Sequence, residues 1–204
     1  MSGVLYIVAT PIGNLDDIGL RALETLKSVD LIAAEDTRHS ARLLKHFGIR
    51  KELVSLHEHN EKARIDKVIE KLMAGTEIAL ISDAGTPLIS DPGYALVKAV
   101  HEAGLKVSPI PGPSSIIVAL SGAGVPTDQF SFYGFLSHKN KERIDKLQAI
   151  KKQNGTLVLF ESSHRILRLL KQLTEIFPDS HIVVAKELTK VYEKFMRGRA
   201  EELL

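Results

Sequence analysis

The sequence predicts an α/β fold in two domains, a parallel sheet in the first and a smaller mixed sheet in the second. Three observations carry this. Short, continuously apolar runs alternate with amphipathic stretches of helical spacing. The runs are apolar throughout, the pattern of strands covered on both faces. The alternation is broken at Pro109-Ile-Pro-Gly-Pro113, where a hinge separates residues 1–112 from residues 113–204.

In chain order, Leu5–Val8, Leu31–Ala34, Leu53–Leu56 and Ile78–Ile81 read as the first four strands, and Lys106–Pro109 as a short fifth. Ile65, Val68, Ile69 and Leu72 fall on one face of a helix between the third and fourth. Tyr94–Ala103 forms another helix, stopped by Gly104. Ser114–Gly122 is helical and either closes the first domain or bridges to the second. Strands near Phe130–Tyr133, Leu157–Phe160 and Ile182–Ala185 follow, separated by helices around Glu142–Lys152 and His164–Phe177. The last residues, Ala200–Leu204, read as the start of a helix, so the natural chain is expected to continue past Leu204.

Composition excludes several classes. The 204 residues hold no cysteine, which removes disulfide frameworks and thiolate chemistry. No apolar run approaches the length of a membrane span, and Pro11 follows the first strand without a basic leader. A cytoplasmic protein is expected. Net charge is only +2, so local clustering matters more than the total. With no tryptophan and 5% aromatic residues, an extended platform for stacking bases is not expected.

Ligands of parallel α/β sheets bind beyond the carboxyl ends of the strands. The polar, Gly/Pro-rich loops of this chain fall there: Ala9–Asn14, Glu35–Arg38, His57–Asn60, Ser82–Gly93 and Pro111–Ser115. The loop after the fourth strand is far longer than the four residues a plain turn needs. A dinucleotide fingerprint is absent, since only Gly13 follows the first strand, and this disfavours a pyrophosphate. Asp83, Thr86, Ser114 and Ser115 offer acceptors, hydroxyls and exposed backbone that suit a small zwitterion with ribose hydroxyls. Taken singly, each loop is better explained by capping, with Ser114 an N-cap and Asp91-Pro92 a helix start; their convergence on one edge is what argues for a ligand.

These motifs resemble the tetrapyrrole methylase superfamily. Leu5–Asn14, Leu20-Arg-Ala-Leu23 followed by Val29-Asp30, Gly85-Thr86-Pro87 and Pro111-Gly-Pro-Ser-Ser115 resemble its opening, its Gly-Asp-Pro loop and its Pro-Gly-x-Ser-Ser turn. Within it, Ala9–Leu15, Glu35–Arg38, His57–Asn60, Ser82–Pro87, Phe160–Arg165 and Lys186–Lys190 together resemble the ribosomal RNA small subunit methyltransferase I family. The resemblance implies S-adenosylmethionine as cofactor, held in a cleft between the domains. It implies 2′-O-methylation of a cytidine ribose in small-subunit (16S) rRNA, in the decoding region, and a homodimer. Pro11, Gly13, Asp83, Gly85, Thr86, Ser114 and Ser115 would then bind the cofactor. Ala9 and Pro11 stand where the superfamily opening has glycines, and Thr86 stands for the Asp of Gly-Asp-Pro; both departures argue against a tetrapyrrole substrate.

A ribose hydroxyl is a weak nucleophile and calls for a base or hydrogen-bond acceptor. Glu35 and Asp36 at the end of the second strand, and His57 and His59 at the end of the third, are candidates; Glu161, His164 and Lys186 are others from the second domain. A hydrogen-bonded loop is the plainer reading of the two histidines. No metal site is expected, because no further ligands support His57-Glu58-His59. Ser163 beside His164 lacks the geometry of a triad.

Thr37–Lys51 carries Arg38, Arg42, Lys45, Arg50 and Lys51 and no acid. A helix would put Arg38, Arg42 and Lys45 on one face, with Leu43, Leu44 and Phe47 inward. Lys139–Lys152 is a second basic stretch, with Ile144, Leu147 and Ile150 as its buried stripe, and Arg165, Arg168 and Lys171 add to it. Arg38, Arg42, Lys45 and Arg165 are the expected RNA contacts; solvated helix faces are the plainer explanation of such runs. Rival readings are a methyltransferase acting on a tetrapyrrole or protein side chain, and a ribosome-binding module without catalysis.

Overall fold

Residues 2–57 and 60–204 are described by the structure, a computed structural model. The candidate His59, with Glu58 beside it, lies outside the described residues. The chain divides into two units, Met1–Ser114 and Ser115–Leu204. Among the described residues no helix is long and apolar enough to cross a membrane.

The first unit runs β1 (Val4–Val8), a 3-10 turn (Leu15–Asp17), α1 (Leu20–Ser28), β2 (Leu31–Ala34), α2 (Thr37–His46), β3 (Glu52–Ser55), α3 (Glu61–Met73), β4 (Ile78–Ile81), α4 (Tyr94–Glu102) and β5 (Lys106–Ile110). The sheet order is β3-β2-β4-β1-β5. Every pairing in it is parallel. The crossovers β1 to β2 and β2 to β3 step one way across the sheet, and β3 to β4 and β4 to β5 step the other way. Right-handed crossovers in opposite directions put their helices on opposite faces.

The core records this division. Val8, Ile32, Ala34, Ala79 and Ile81 pack on one face with Ala22 and Leu26 of α1 and Leu44 of α2. Leu5, Ile7, Leu31, Ala33, Ile78 and Leu80 pack on the other with Val68 and Leu72 of α3 and Leu96 and Val100 of α4. Alternate residues of each strand feed the two layers, so the strands are apolar end to end. Each fully buried Leu or Ile contributes about 1.5–3 kcal/mol relative to exposure. The fifth strand extends beyond its predicted end, through Pro109 to Ile110. It is an edge strand, where proline is tolerated, so the predicted break begins only at Pro111.

One buried acid fastens the α3 and α4 layer. Gly93, at the N-cap of α4, has no side chain to satisfy the first turn. The Leu96 N–H donates instead to Glu61 Oε1 at 2.9 Å, and Glu61 is 9% exposed. Gly93 itself is at φ +124, and a Cβ there would lie 2.8 Å from Leu80 Cδ2, so only glycine lets the chain turn into α4 above the core.

The second unit contains α5 (Ser115–Ala123), β6 (Phe130–Phe135), α6 (Asn140–Ile150), β7 (Thr156–Phe160), α7 (Ile166–Ile176), β8 (Ile182–Lys186), β9 (Lys194–Gly198) and a 3-10 turn at Ala200–Leu203. Parallel and antiparallel pairings both occur, in separate two-stranded ladders: β6 with β7 and β8 with β9. Its core is Leu136, Leu147, Ile150 and Leu169.

The buried stripe of α6 differs from the expected one. Arg143 takes the place of Ile144, in line with Leu147 and Ile150, and is fully buried. Its Nε donates to Gln172 Oε1 at 2.6 Å, and Nη2 to Asn140 Oδ1 at 3.4 Å. Asn140 Oδ1 also accepts from Arg168 and Gln172, each at 2.9 Å. Burial first, and then the guanidiniums of Arg168 and Arg165, lower the pKa of Arg143. Helical spacing alone favours the isoleucine because it treats a charged side chain as outward-facing.

Glu61→Ala should leave the Leu96 N–H buried without an acceptor and cost about 1–3 kcal/mol in urea unfolding. A change within error would show that the α4 cap contributes nothing.

Candidate active site

Because the five strands of the first unit are parallel, all their carboxyl ends lie on one edge. Along it stand, in order, the loops starting at His57, Glu35, Ser82, Ala9 and Pro111. β4 is flanked by β2 and β1, whose helices α2 and α1 cover the face opposite to α4. The chain therefore leaves β4 in the direction opposite to that in which it leaves each of its two neighbours. That is the topological switch point, where such sheets open a crevice.

The loops at β4 and β1 are fastened to each other. Thr10 and Gly85 exchange backbone hydrogen bonds, both 2.9 Å. The buried Thr10 hydroxyl donates to Ser82 O at 3.2 Å. The Thr86 hydroxyl donates to Pro113 O at 3.0 Å, which joins the loop after β5. Gly85 sits at φ +81, and a Cβ there would come within 3.2 Å of Ile12 Cγ2. Further along, Leu88 and Ser90 hold φ of 74 and 66 without being glycines. Such residues cost about 1–3 kcal/mol each and persist where the surroundings over-determine them. Leu88 is anchored by packing against the α3 and α4 core.

The remaining crevice, between β2 and β4, is acidic. Asp83 Oδ1 accepts from the Asp36 N–H at 3.1 Å. Burial raises the pKa of the half-buried Glu35, as do the neighbouring charges of Asp91 and Asp83. Burial likewise raises that of Asp91, opposed by a hydrogen bond from Ser82 and reinforced by Asp83. Asp36 behaves in the opposite way. Arg38 donates Nε to Oδ1 at 3.1 Å and Nη2 to Oδ2 at 2.8 Å, and the Arg38 N–H caps α2 on Oδ1 at 2.8 Å. Those bonds hold the Asp36 carboxyl far below the usual carboxylate range.

Of the predicted cofactor residues, Pro11 and Gly85 are buried, Asp83, Thr86, Ser114 and Ser115 are half-buried and Gly13 is exposed. Ser114 ends the first unit and Ser115 opens α5 in the second. Among the catalytic candidates, His57 is held locally: its N–H donates to Asn60 Oδ1 at 2.9 Å, and Asn60 Nδ2 lies 3.1 Å from its Nε2. Of the predicted RNA contacts, Arg42 and Lys45 stand exposed on α2 and Arg38 is exposed but matched by Asp36. Arg165 is engaged within the second unit. Its Nη2 donates to Leu136 O at 2.8 Å, and its Nε lies 3.1 Å from Glu161 Oε1, an ion pair without the alignment of a hydrogen bond. His164 and Lys186 are exposed there. Among the described residues no three His, Asp or Glu side chains gather as metal ligands.

Two residues of the edge escape sequence reasoning. Thr10 lies in the first predicted cleft loop but is given no role there, and Asp91 reads as a helix start before Pro92. A threonine between an apolar strand and a proline, facing a Gly-Thr-Pro loop, is the one signal that points to the Thr10 tie.

Comparison with known proteins places this arrangement. Residues 4–204 match the family described as Tetrapyrrole (Corrin/Porphyrin) Methylases. The chain is 53% identical to ribosomal RNA small subunit methyltransferase I of Escherichia coli O157:H7 over 203 residues, 99% of this chain and 71% of that protein. It is 52% identical to the protein of the same name from Synechocystis sp. over 197 residues, 96% of this chain and 71% of that one. Among solved structures it shares its fold with a diphthine synthase, at a TM-score of 0.77 and 18% identity, covering 98% of this chain and 84% of that one. It shares it also with uroporphyrin-III-C-methyltransferase from Thermus thermophilus, at a TM-score of 0.67 and 22% identity, covering 98% and 87%. With a match that begins at the first strand and relatives at half identity over nearly its whole length, the chain belongs to the tetrapyrrole (corrin/porphyrin) methylase family and, within it, to the ribosomal RNA small subunit methyltransferase I group.

Proposed function

We propose that this chain is an rRNA methyltransferase that moves a methyl group from S-adenosylmethionine to the 2′-hydroxyl of a cytidine in small-subunit (16S) ribosomal RNA. The observation that carries the reading is the half-identity, over nearly the whole chain, to relatives named for methylating that RNA. On the same reading it works in the cytoplasm, as a homodimer, on free rRNA or the assembled small subunit.

The donor set of the carboxyl edge fits the cofactor. Carboxylates of Glu35, Asp83 and Asp91 complement a molecule with a sulfonium and an ammonium charge, and the half-buried hydroxyl of Ser114 suits ribose or carboxylate oxygens. Pro11, Gly13, Asp83, Gly85, Thr86, Ser114 and Ser115 would hold it. When bound, S-adenosylmethionine supplies a methyl group already activated by its sulfonium. The protein's larger task is then orientation, which contributes about 7–11 kcal/mol to such steps. The Thr10–Gly85 exchange and the Thr86–Pro113 bond fix the loops for it.

On this reading Glu35, half-buried in the crevice beside Asp83 and Asp91, is the base. The 2′-hydroxyl would lose its proton to the Glu35 carboxylate as its oxygen takes the methyl, while the electron pair of the broken methyl–sulfur bond would stay on sulfur and leave a neutral thioether. A raised pKa makes that carboxylate a stronger proton acceptor than an ordinary glutamate. Asp36 suits the role less, since Arg38 occupies both its oxygens. His57 is engaged by Asn60.

The direct test offers labelled methyl donor to purified small subunits and, separately, to a tetrapyrrole; label in the tetrapyrrole alone would overturn the reading. Glu35→Gln should lower kcat by about 10²–10⁴-fold. The wild-type kcat/KM, which reports the free enzyme, should fall on acidification with a limb above the ordinary glutamate value of about 4.3, because the base must be ionised and its pKa is raised. That limb should vanish in Glu35→Gln; an unchanged kcat would remove Glu35 from the mechanism. Asp83→Ala and Ser115→Ala should each weaken cofactor binding in calorimetry, and unchanged affinity in both would take them out of the site.

A further inference from the structure

Arg38 leads the basic stretch of the first unit, but Asp36 meets its charge. The cations left over lie further along. Arg42 and Lys45 are on the exposed face of α2, and Arg50 and Lys51 follow the turn at Gly48. Between the end of α2 and β3 opens a groove of about 400 Å³, with Leu44, Ile49 and Leu53 forming its floor and Lys45, Arg50 and Lys51 its rim. No acid occurs from Thr37 to Lys51, and no carboxylate lines the groove. Among the described residues none of these cations is in an ion pair or hydrogen bond with a carboxylate.

A solvated helix face is convex and spreads its charges. Here three cations gather around a concavity with an apolar floor. That combination suits a chain carrying phosphates together with ribose and base surfaces. Among the described residues β3 is also an edge strand, bonded only to β2, and its Leu53 lines the groove. An acid-free, cationic border favours a polyanion over the strand of another protein.

The groove is not at the carboxyl edge. α2 leaves that edge at Asp36 and runs ten residues back across the sheet, about 15 Å. A ligand here is thus separated from the acidic crevice by the length of a helix, and Arg42 lies on the way.

We propose that this groove, with the α2 face leading to it, binds the sugar-phosphate backbone of RNA flanking the methylated nucleotide. Lys45, Arg50 and Lys51 contact phosphate, and the half-buried Leu53 on the groove floor supports a ribose or base edge. The proposal rests on the rRNA reading above and deepens it, by giving the substrate an anchor remote from the chemistry.

The test compares wild type, Arg50→Glu/Lys51→Glu, the milder Arg50→Gln/Lys51→Gln, and Lys67→Glu on the exposed face of α3 as a charge control. Binding to a transcribed small-subunit rRNA fragment and to purified small subunits is measured across salt, with cofactor affinity and melting temperature alongside. The double reversal should weaken binding to the RNA at least tenfold and reduce the salt slope by about 1–2, at roughly 0.7 for each phosphate no longer neutralised. The glutamine pair should do the same to a smaller degree. Cofactor affinity and melting temperature should match wild type, and Lys67→Glu should bind RNA as wild type does. RNA affinity and slope unchanged in both double variants would overturn the groove while leaving methyl transfer intact. Loss of binding to subunits but not to the RNA fragment would also overturn it, in favour of a ribosomal protein. Failure of wild type to methylate small subunits would instead sink the functional reading itself.

Discussion

The parallel pairing of β4 with both β1 and β2 is the constraint on which the first unit depends. It puts every strand's carboxyl end on one edge, and it sets β4, whose chain leaves toward one face, between β2 and β1, whose chains leave toward the other. The two core layers, each fed by alternate residues of the same strands, exist because of that division. So does the acidic crevice. Its side chains come from loops distant in sequence, and only the strand order makes them neighbours. The bonds from Thr10 to Gly85 and from Thr86 to Pro113 then hold these loops with little freedom left to lose on binding. The left-handed residues Leu88 and Ser90 show that the loop after β4 is kept in a conformation it would not choose alone.

Charge is sorted along the same unit. At the crevice, carboxylates crowd together at a cost visible in the raised pKa values of Glu35 and Asp91. One turn on, Asp36 and Arg38 cancel each other and cap α2. Beyond them the surface is cationic as far as Lys51. A cationic methyl donor and a polyanionic acceptor have opposite electrostatic needs. The Asp36–Arg38 pair marks the boundary between a region suited to the first and a region suited to the second. In the second unit the buried Arg143 is satisfied by neutral amides, with Glu161 and Arg165 paired nearby.

Much of this is legible in the sequence because parallel strands leave a strong signature. Ile78-Ala-Leu-Ile81 and Leu31-Ile-Ala-Ala34 are apolar at every position, and each is a strand buried on both sides. The loop positions follow from the strands. What stays hidden is pairing between distant groups. That Asp91 shares a crevice with Glu35, or that Glu61 caps α4, depends on elements brought together only by folding. β9 escapes notice because its apolar centre, Phe195-Met196, is too short between charged residues to register as a run. The burial of Arg143 is invisible to helical spacing because it depends on amides contributed by Asn140 and Gln172.

On the proposed function, the turns gathered on the carboxyl edge of the first unit enclose the methyl donor. Hydrogen–deuterium exchange with and without saturating S-adenosylmethionine addresses it directly. Slowed exchange should be confined to the backbone amides of the Ala9–Asn14, Glu35–Arg38 and Ser82–Gly93 loops and the start of α5. Protection centred on the opposite edge of the sheet, around Gly48–Lys51, or none in these loops with the donor bound, would contradict it.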